Sequence, residues 1–199
     1  MKTRPIEIHQ LSNELTVCQV YDPQVKADLF MTALGTSGGS FLVDPFAVDA
    51  ATLDVLTHGR SVAGLIVTNE NHHRASLELA ERLAVTVFAD ADATVPGSRA
   101  LDALPDDLRV IAIPGAAKGE IALHCARDGG TVVIGDAVIN SGSYGFTPLP
   151  PKYCENPKLM QKSLRSLLDL KFERIFFAHG TPIVTNARAR LAALLENET

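Results

Sequence analysis

Residues 64–68, Gly64-Leu65-Ile66-Val67-Thr68, form a continuous apolar strand of the kind that is buried on both faces. Such a strand needs apolar cover on each side, which commits the chain to a layered architecture. A polar turn follows at once, Asn69-Glu70-Asn71-His72-His73-Arg74, and leads into a helix carrying Leu77, Ala80 and Leu83. Residues 85–88 are then a further short strand. The order strand, polar turn, helix, strand puts the turn at the carboxyl end of a buried strand, where open α/β sheets commonly bind ligands.

Before this unit the pattern is hairpin-like. Ile6 and Ile8, then Leu15, Val17 and Gln19, alternate before a turn at Tyr21-Asp22-Pro23. A run from Leu29 to Leu34 closes at residues 35–39, and Phe41-Leu42-Val43 ends in Asp44-Pro45. From Asp49 the period changes to that of a helix bearing Leu53 and Leu56, which stops near Gly59. Further strands are expected at residues 110–113, 121–125, 131–134 and 174–178. Residues 140–154, rich in Gly, Pro and aromatics, read as a long ordered loop. Asn156 followed by Pro157 starts a helix striped by Met160, Leu164, Leu167 and Leu168, and Asn186 caps a last one striped by Leu191, Leu194 and Leu195.

A length of 199 residues suits one α/β domain, and no linker or repeat divides it. The formal net charge of −5, with Lys and Arg scattered, offers no footprint for a phosphate backbone, so nucleic acid is not an expected partner. No apolar run approaches the roughly 18 residues of a membrane span. With no signal-peptide pattern at the N-terminus, the chain reads as cytosolic. Three widely spaced cysteines, Cys18, Cys125 and Cys154, suggest neither a disulfide framework nor a thiolate cluster.

Five short segments in order carry a family resemblance. Residues 41–45 look like the strand ending in Asp that precedes the first helix of metallo-β-lactamase-like proteins. Residues 64–74 resemble their strand and HxHxDH turn, and Pro114-Gly115 with Gly119 and Leu123-His124 resembles their PGHTPG segment. Val133-Ile134-Gly135-Asp136-Ala137 resembles the GDxL turn, and Phe176-Phe177-Ala178-His179-Gly180 the terminal GH. The fold this implies is an α/β, four-layer αββα sandwich of two mixed sheets with outer helices.

The resemblance also implies two metal ions, usually zinc, which activate a water and stabilise an oxyanion during hydrolysis. If Thr68 matches the residue before the signature, its two leading His positions hold Asn69 and Asn71, its Asp position His73, and its last His position Arg74. Ala116 replaces the His of the PGHTPG segment. One metal site is thus without imidazoles. His73, Asp136 and His179 are left as a two-His, one-carboxylate set for a single Zn or Fe ion. Arg74 cannot ligate a metal, and is expected to take the metal's place as the cation beside Asp136. Asp44 is a buried carboxylate near the site by the same resemblance, while His72 reads as a solvated neighbour of His73.

These residues leave three functions open. One is a hydrolase with a degenerate site and at most one metal, whose hydrolytic activity is atypical or lost. Another is a non-catalytic binding or interaction module whose polar cleft, with Arg74 and the two histidines, recognises a small anionic ligand, Asn69, Asn71 and Asp44 being further candidate binding residues. The third is a metal-independent hydrolase with His73 or His179 as base.

Overall fold

The computed structural model describes residues 6–196. Six strands form one mixed sheet in sequential order: β1 (Glu7–Ser12), β2 (Leu15–Asp22), β3 (Ala27–Thr36), β4 (Gly39–Val43), β5 (Val62–Ile66) and β6 (Val87–Phe88). The first four pair antiparallel and the last three parallel, because α1 (Ala50–Thr57) and α2 (Ser76–Leu83) supply the crossovers. A second sheet holds β7 (Arg109–Ala112), β8 (Ile121–Cys125), β9 (Thr131–Ile134) and β12 (Arg174–Phe177) in the order β12-β9-β8-β7, with only β12 and β9 parallel. The ordered loop expected at residues 140–154 holds paired strands: β10 (Val138–Ser141) and β11 (Gly145–Pro148) make a hairpin ahead of α3 (Pro157–Arg165). Its glycines mark the turn of that hairpin and not a lack of pairing.

Side-chain alternation sorts the core into layers. Phe41, Val43, Ile66 and Phe88 of the first sheet meet Ile121, Leu123, Val133 and Phe176 of the second, so the sheets pack face to face. The alternate residues Leu42, Leu65 and Met31 face outward onto Leu53, Leu56 and Leu79 of α1 and α2. On the far side Ala122, Ile134, Ile175 and Phe177 meet Met160 and Leu164 of α3, and Leu191 and Leu195 of α4 (Ala187–Glu196). The result is the expected αββα sandwich. One stripe shifts: on α2 the buried leucine is Leu79, while Leu77 is exposed. No helix among the described residues is long and apolar enough to cross a membrane.

The strands that matter for function end together. β4 ends at Asp44, β5 runs out at Thr68 and Asn69, β9 at Asp136 and β12 at His179, so one edge of the sandwich collects the polar ends of parallel strands from both sheets. The junction is tight at Gly180, whose φ of 108° lies in the region that favours glycine. A Cβ there would sit 2.2 Å from the carbonyl group of Asn140, which accepts the Thr181 N–H at 2.9 Å. Gly180→Ala is therefore expected to lose on the order of 3 kcal/mol in chemical denaturation, from backbone strain plus the clash. A loss below about 1 kcal/mol would show that this approach is not tight.

Candidate functional site

The polar turn after β5 is a single 3-10 turn, Glu70–His72, capped by Asn69, whose side-chain oxygen accepts the Asn71 N–H at 2.9 Å. With three residues per turn, side chains at i and i+3 eclipse. Asn69 and His72 consequently share the inward face and are buried, whereas Asn71 and His73 are exposed. This corrects the sequence reading. His73 has its Nδ1 3.1 Å from the Glu70 carbonyl, and it is His72 that enters the cluster with Asp136 and His179. Matching by position assigned the wrong histidine; the i, i+3 relation to Asn69 was the signal that would have found His72.

His72 is held from below. The Thr68 backbone N–H and hydroxyl donate to the two oxygens of Asp44 at 2.8 and 2.7 Å. His72 Nδ1 lies 3.1 Å from Asp44 Oδ2 and 2.9 Å from Thr68 Oγ1. Because the Thr68 proton is spent on Asp44, Nδ1 must carry its own proton and donate it downward. The other ring nitrogen, Nε2, is 3.3 Å from Asp136 Oδ1, off the line a hydrogen bond needs, and has no other partner among the described residues. His179 is arranged alike: Nδ1 donates to the Asp28 carbonyl at 3.2 Å, and Nε2 faces Asp136 Oδ1 at 3.7 Å. Both imidazoles thus spend their Nδ1 protons outward and turn Nε2 onto one carboxylate. One ligand atom from each of His72, Asp136 and His179 lies within 4.8 Å of the others.

This donor set fits a single divalent ion: two nitrogens and one oxygen, with a carboxylate and a carbonyl behind the histidines fixing their tautomers. It does not fit a second. The Asn69 amide is committed, donating to Glu120 Oε2 at 2.6 Å and Asp136 Oδ2 at 3.2 Å. Asn71 is exposed, and Ala116 is fully buried in the apolar core. Glu120, which sequence reasoning overlooked, is a buried carboxyl that also accepts the Ala137 N–H at 2.9 Å. Its signal was an acid placed directly before the apolar strand β8.

Arg74 also departs from expectation. Its guanidinium makes no ion pair with Asp136; it donates to the carbonyls of Phe30 at 2.8 Å, Asp44 at 2.9 Å and Ala178 at 3.3 Å. The protonated imidazole of His72 is nearer to Asp136, and the several N–H donors of the guanidinium are spent on carbonyls from Phe30 within β3, Asp44 just after β4 and Ala178 just after β12. Arg74 thereby ties β3, β4 and β12 beneath the site.

Titration follows this geometry. Burial opposes a charge on His72, yet the carboxylates of Asp136 and Asp44 outweigh it and push its pKa up to about 10. Burial likewise opposes the charge on Asp44 and Asp136, and His72 holds both below the usual carboxylate value. Burial lowers His179, with Asp136 only partly offsetting, so its imidazole is neutral at neutral pH. Burial, then the neighbouring Asp136 charge, raises Glu120 to about 8. In the metal-free protein the His72 contribution is fully present below its ordinary 6.5 and fades as pH rises through about 10, and that of Glu120 is lost between 4.5 and about 8. The depressed groups act oppositely, costing stability as pH falls below 6.5 for His179 and below 3.8 for the aspartates. Chelator-treated protein should therefore show its highest melting temperature between about pH 5 and 6.5, falling steadily toward pH 9. A melting temperature that climbs from pH 6.5 to 9 would contradict the charge assignment.

A cleft of about 330 Å³ opens beside His179, between the β2–β3 ribbon and the β10–β11 hairpin. No protein-family model matches this sequence, and no curated protein matches it. Solved structures do. The chain is similar to DIM-1 metallo-β-lactamase, with a TM-score of 0.77 at 12% identity over 100% of both chains. It is similar to the metallo-β-lactamase FIM-1 from Pseudomonas aeruginosa in its mono-zinc form, with a TM-score of 0.75 at 13% identity over 100% of this chain and 98% of that one. A metallo-β-lactamase from Erythrobacter litoralis gives a TM-score of 0.72 at 13% identity, covering 99% of this chain and 95% of the other. The chain has the metallo-β-lactamase fold.

Proposed function

We propose that this protein is a hydrolase of small molecules that works with one divalent ion, zinc or iron, held by His72, Asp136 and His179. The observation that carries this reading is the outward commitment of both Nδ1 protons, which leaves two Nε2 atoms and a carboxylate oxygen facing one point. Bound there, the ion would lower the pKa of a water toward neutrality and polarise the group under attack. Asp44 orients His72 and makes it a stronger donor, as carboxylates behind ligating histidines do. Asn69, itself anchored on Glu120, fixes the second oxygen of Asp136. The cleft presents its contents to His179, and its volume is at the small end of ligand sites, which favours a compact substrate. With Asn69, Asn71 and Ala116 where imidazoles would stand, two-metal hydrolysis is not part of the reading.

One observation supports a second reading. Asp44, His72 and Asp136, with the Arg74 guanidinium beside them, already balance charge without an ion, an arrangement that a non-catalytic small-anion-binding protein would also tolerate.

Metal content separates the two. Protein purified without chelator is expected to carry about one equivalent of zinc or iron per chain, as one closed ligand set requires. His72→Ala should weaken metal affinity by about 100-fold and Asp44→Asn by about 10- to 100-fold, while His73→Ala leaves it unchanged. Loss of metal on His73→Ala with retention on His72→Ala, or no metal in the parent protein, would overturn the proposal.

A further inference from the structure

The cleft beside His179 is built on one face of the β2–β3 ribbon. The register pairs Gln19 with Phe30 and Tyr21 with Asp28, so these four side chains share a face, and Lys26, in the turn just ahead of β3 at a φ of 56°, stands at its outer end. All five line the cleft, with Asn140 and Tyr144 of the opposing hairpin across from them. Phe30 lies at the floor, 4% exposed, and its N–H is bonded to the carbonyl of Ala178, next to His179. Moving outward from the reacting end, the wall therefore runs apolar floor, then carboxylate about 6.6 Å further along the strand, then ammonium at the turn.

Lys26 and Asp28 are cleft-lining charges whose side chains make no hydrogen bond or ion pair among the described residues. On the neighbouring face charged side chains are matched: Glu14 pairs with both Arg60 and Arg127, and Arg127 with Asp107. A lone cation in a cleft would select anions and a lone carboxylate would reject them. One of each, in sequence on one wall, selects a ligand that carries both charges. We propose that the cleft recognises an amino-acid-like zwitterion, with its carboxylate on Lys26 Nζ, its ammonium on the Asp28 carboxylate, and its organic body between Phe30 and Tyr144. The substrate class is then an ester, thioester or amide whose acyl or leaving part ends in such a group. This rests on the proposed hydrolase only for the position of the bond that is cut; the charge pattern of the wall is independent of any metal.

The test is binding of three matched probes to the full chain: L-norleucine, hexanoate, which lacks the ammonium, and pentylamine, which lacks the carboxylate. Binding is read from the amide shifts of Lys26, Asp28 and Tyr144. L-norleucine should bind at least about five-fold tighter than either single-charge probe, the worth of one solvent-screened ion pair. Lys26→Gln should remove its advantage over pentylamine, and Asp28→Asn its advantage over hexanoate; the Asp28 carbonyl that holds His179 is untouched by the latter. Exchanging the two charges, Lys26→Asp with Asp28→Lys, should restore part of the preference. Equal binding of norleucine and hexanoate, or a preference that survives both single variants, overturns the inference. The measurement is made with and without one equivalent of zinc. A zwitterion preference in a protein that binds neither zinc nor ferrous iron would refute the hydrolase reading and leave this one standing, and metal binding without the preference would do the reverse.

Discussion

The arrangement at the sheet ends depends on one buried chain of charge, Asp44 to His72 to Asp136. Two carboxylates taken from water onto the ends of two different sheets would repel one another and lose hydration. A cationic imidazole between them removes both penalties at once, and it does so across the seam where the sheets meet. The same ring therefore joins β4 to β9 and fixes the geometry in which His179 approaches. Arg74 supports this from beneath by holding the carbonyls of Phe30, Asp44 and Ala178. Charge balance and strand placement are two aspects of a single device.

That device is available because the sandwich brings parallel strand ends to one edge. β4 and β5 are parallel in one sheet, β9 and β12 in the other, and each releases a polar residue as its ladder ends. The helices cover the outer faces, so the polar ends are the natural opening. Asn69 and Glu120 lie at the side of the opening, and the Asn69 amide donates to the Glu120 carboxyl. Beside them His72, Asp136 and His179 form the one group among the described residues whose ligand atoms lie close enough to share a cation.

Much of this was legible in the sequence. The run of residues 64–68, the alternation of residues 41–43 and the capped helix from Asn156 each follow from local patterning, and the ordered set of turns fixed the architecture. Asp44, Asp136 and His179 were legible because each ends a strand. The rest failed for identifiable reasons. His72 was hidden because the turn is 3-10, so the inward face falls at i+3, and a position-by-position match selects His73. The partners of Arg74 are backbone carbonyls contributed by residues 30, 44 and 178, which no side-chain pattern reveals. The β10–β11 hairpin was obscured by a glycine-rich turn that reads as loop, and Leu79 displaced Leu77 because the inward face of α2 runs through Ser76, Leu79, Ala80 and Leu83.

The central claim is that His72, protonated at Nδ1 onto Asp44, presents Nε2 to Asp136 and His179. Long-range nitrogen–proton correlation spectra of the histidine rings test it directly, recorded at about pH 7.5, below the folded-state pKa of His72. In metal-free protein the account predicts that the His72 ring carries protons on both nitrogens and that His179 is neutral, protonated at Nδ1. With one equivalent of zinc, both rings should keep the Nδ1 proton and show Nε2 shifted by the ion. A neutral His72 in the metal-free state, or zinc-dependent shifts confined to His73, would contradict it.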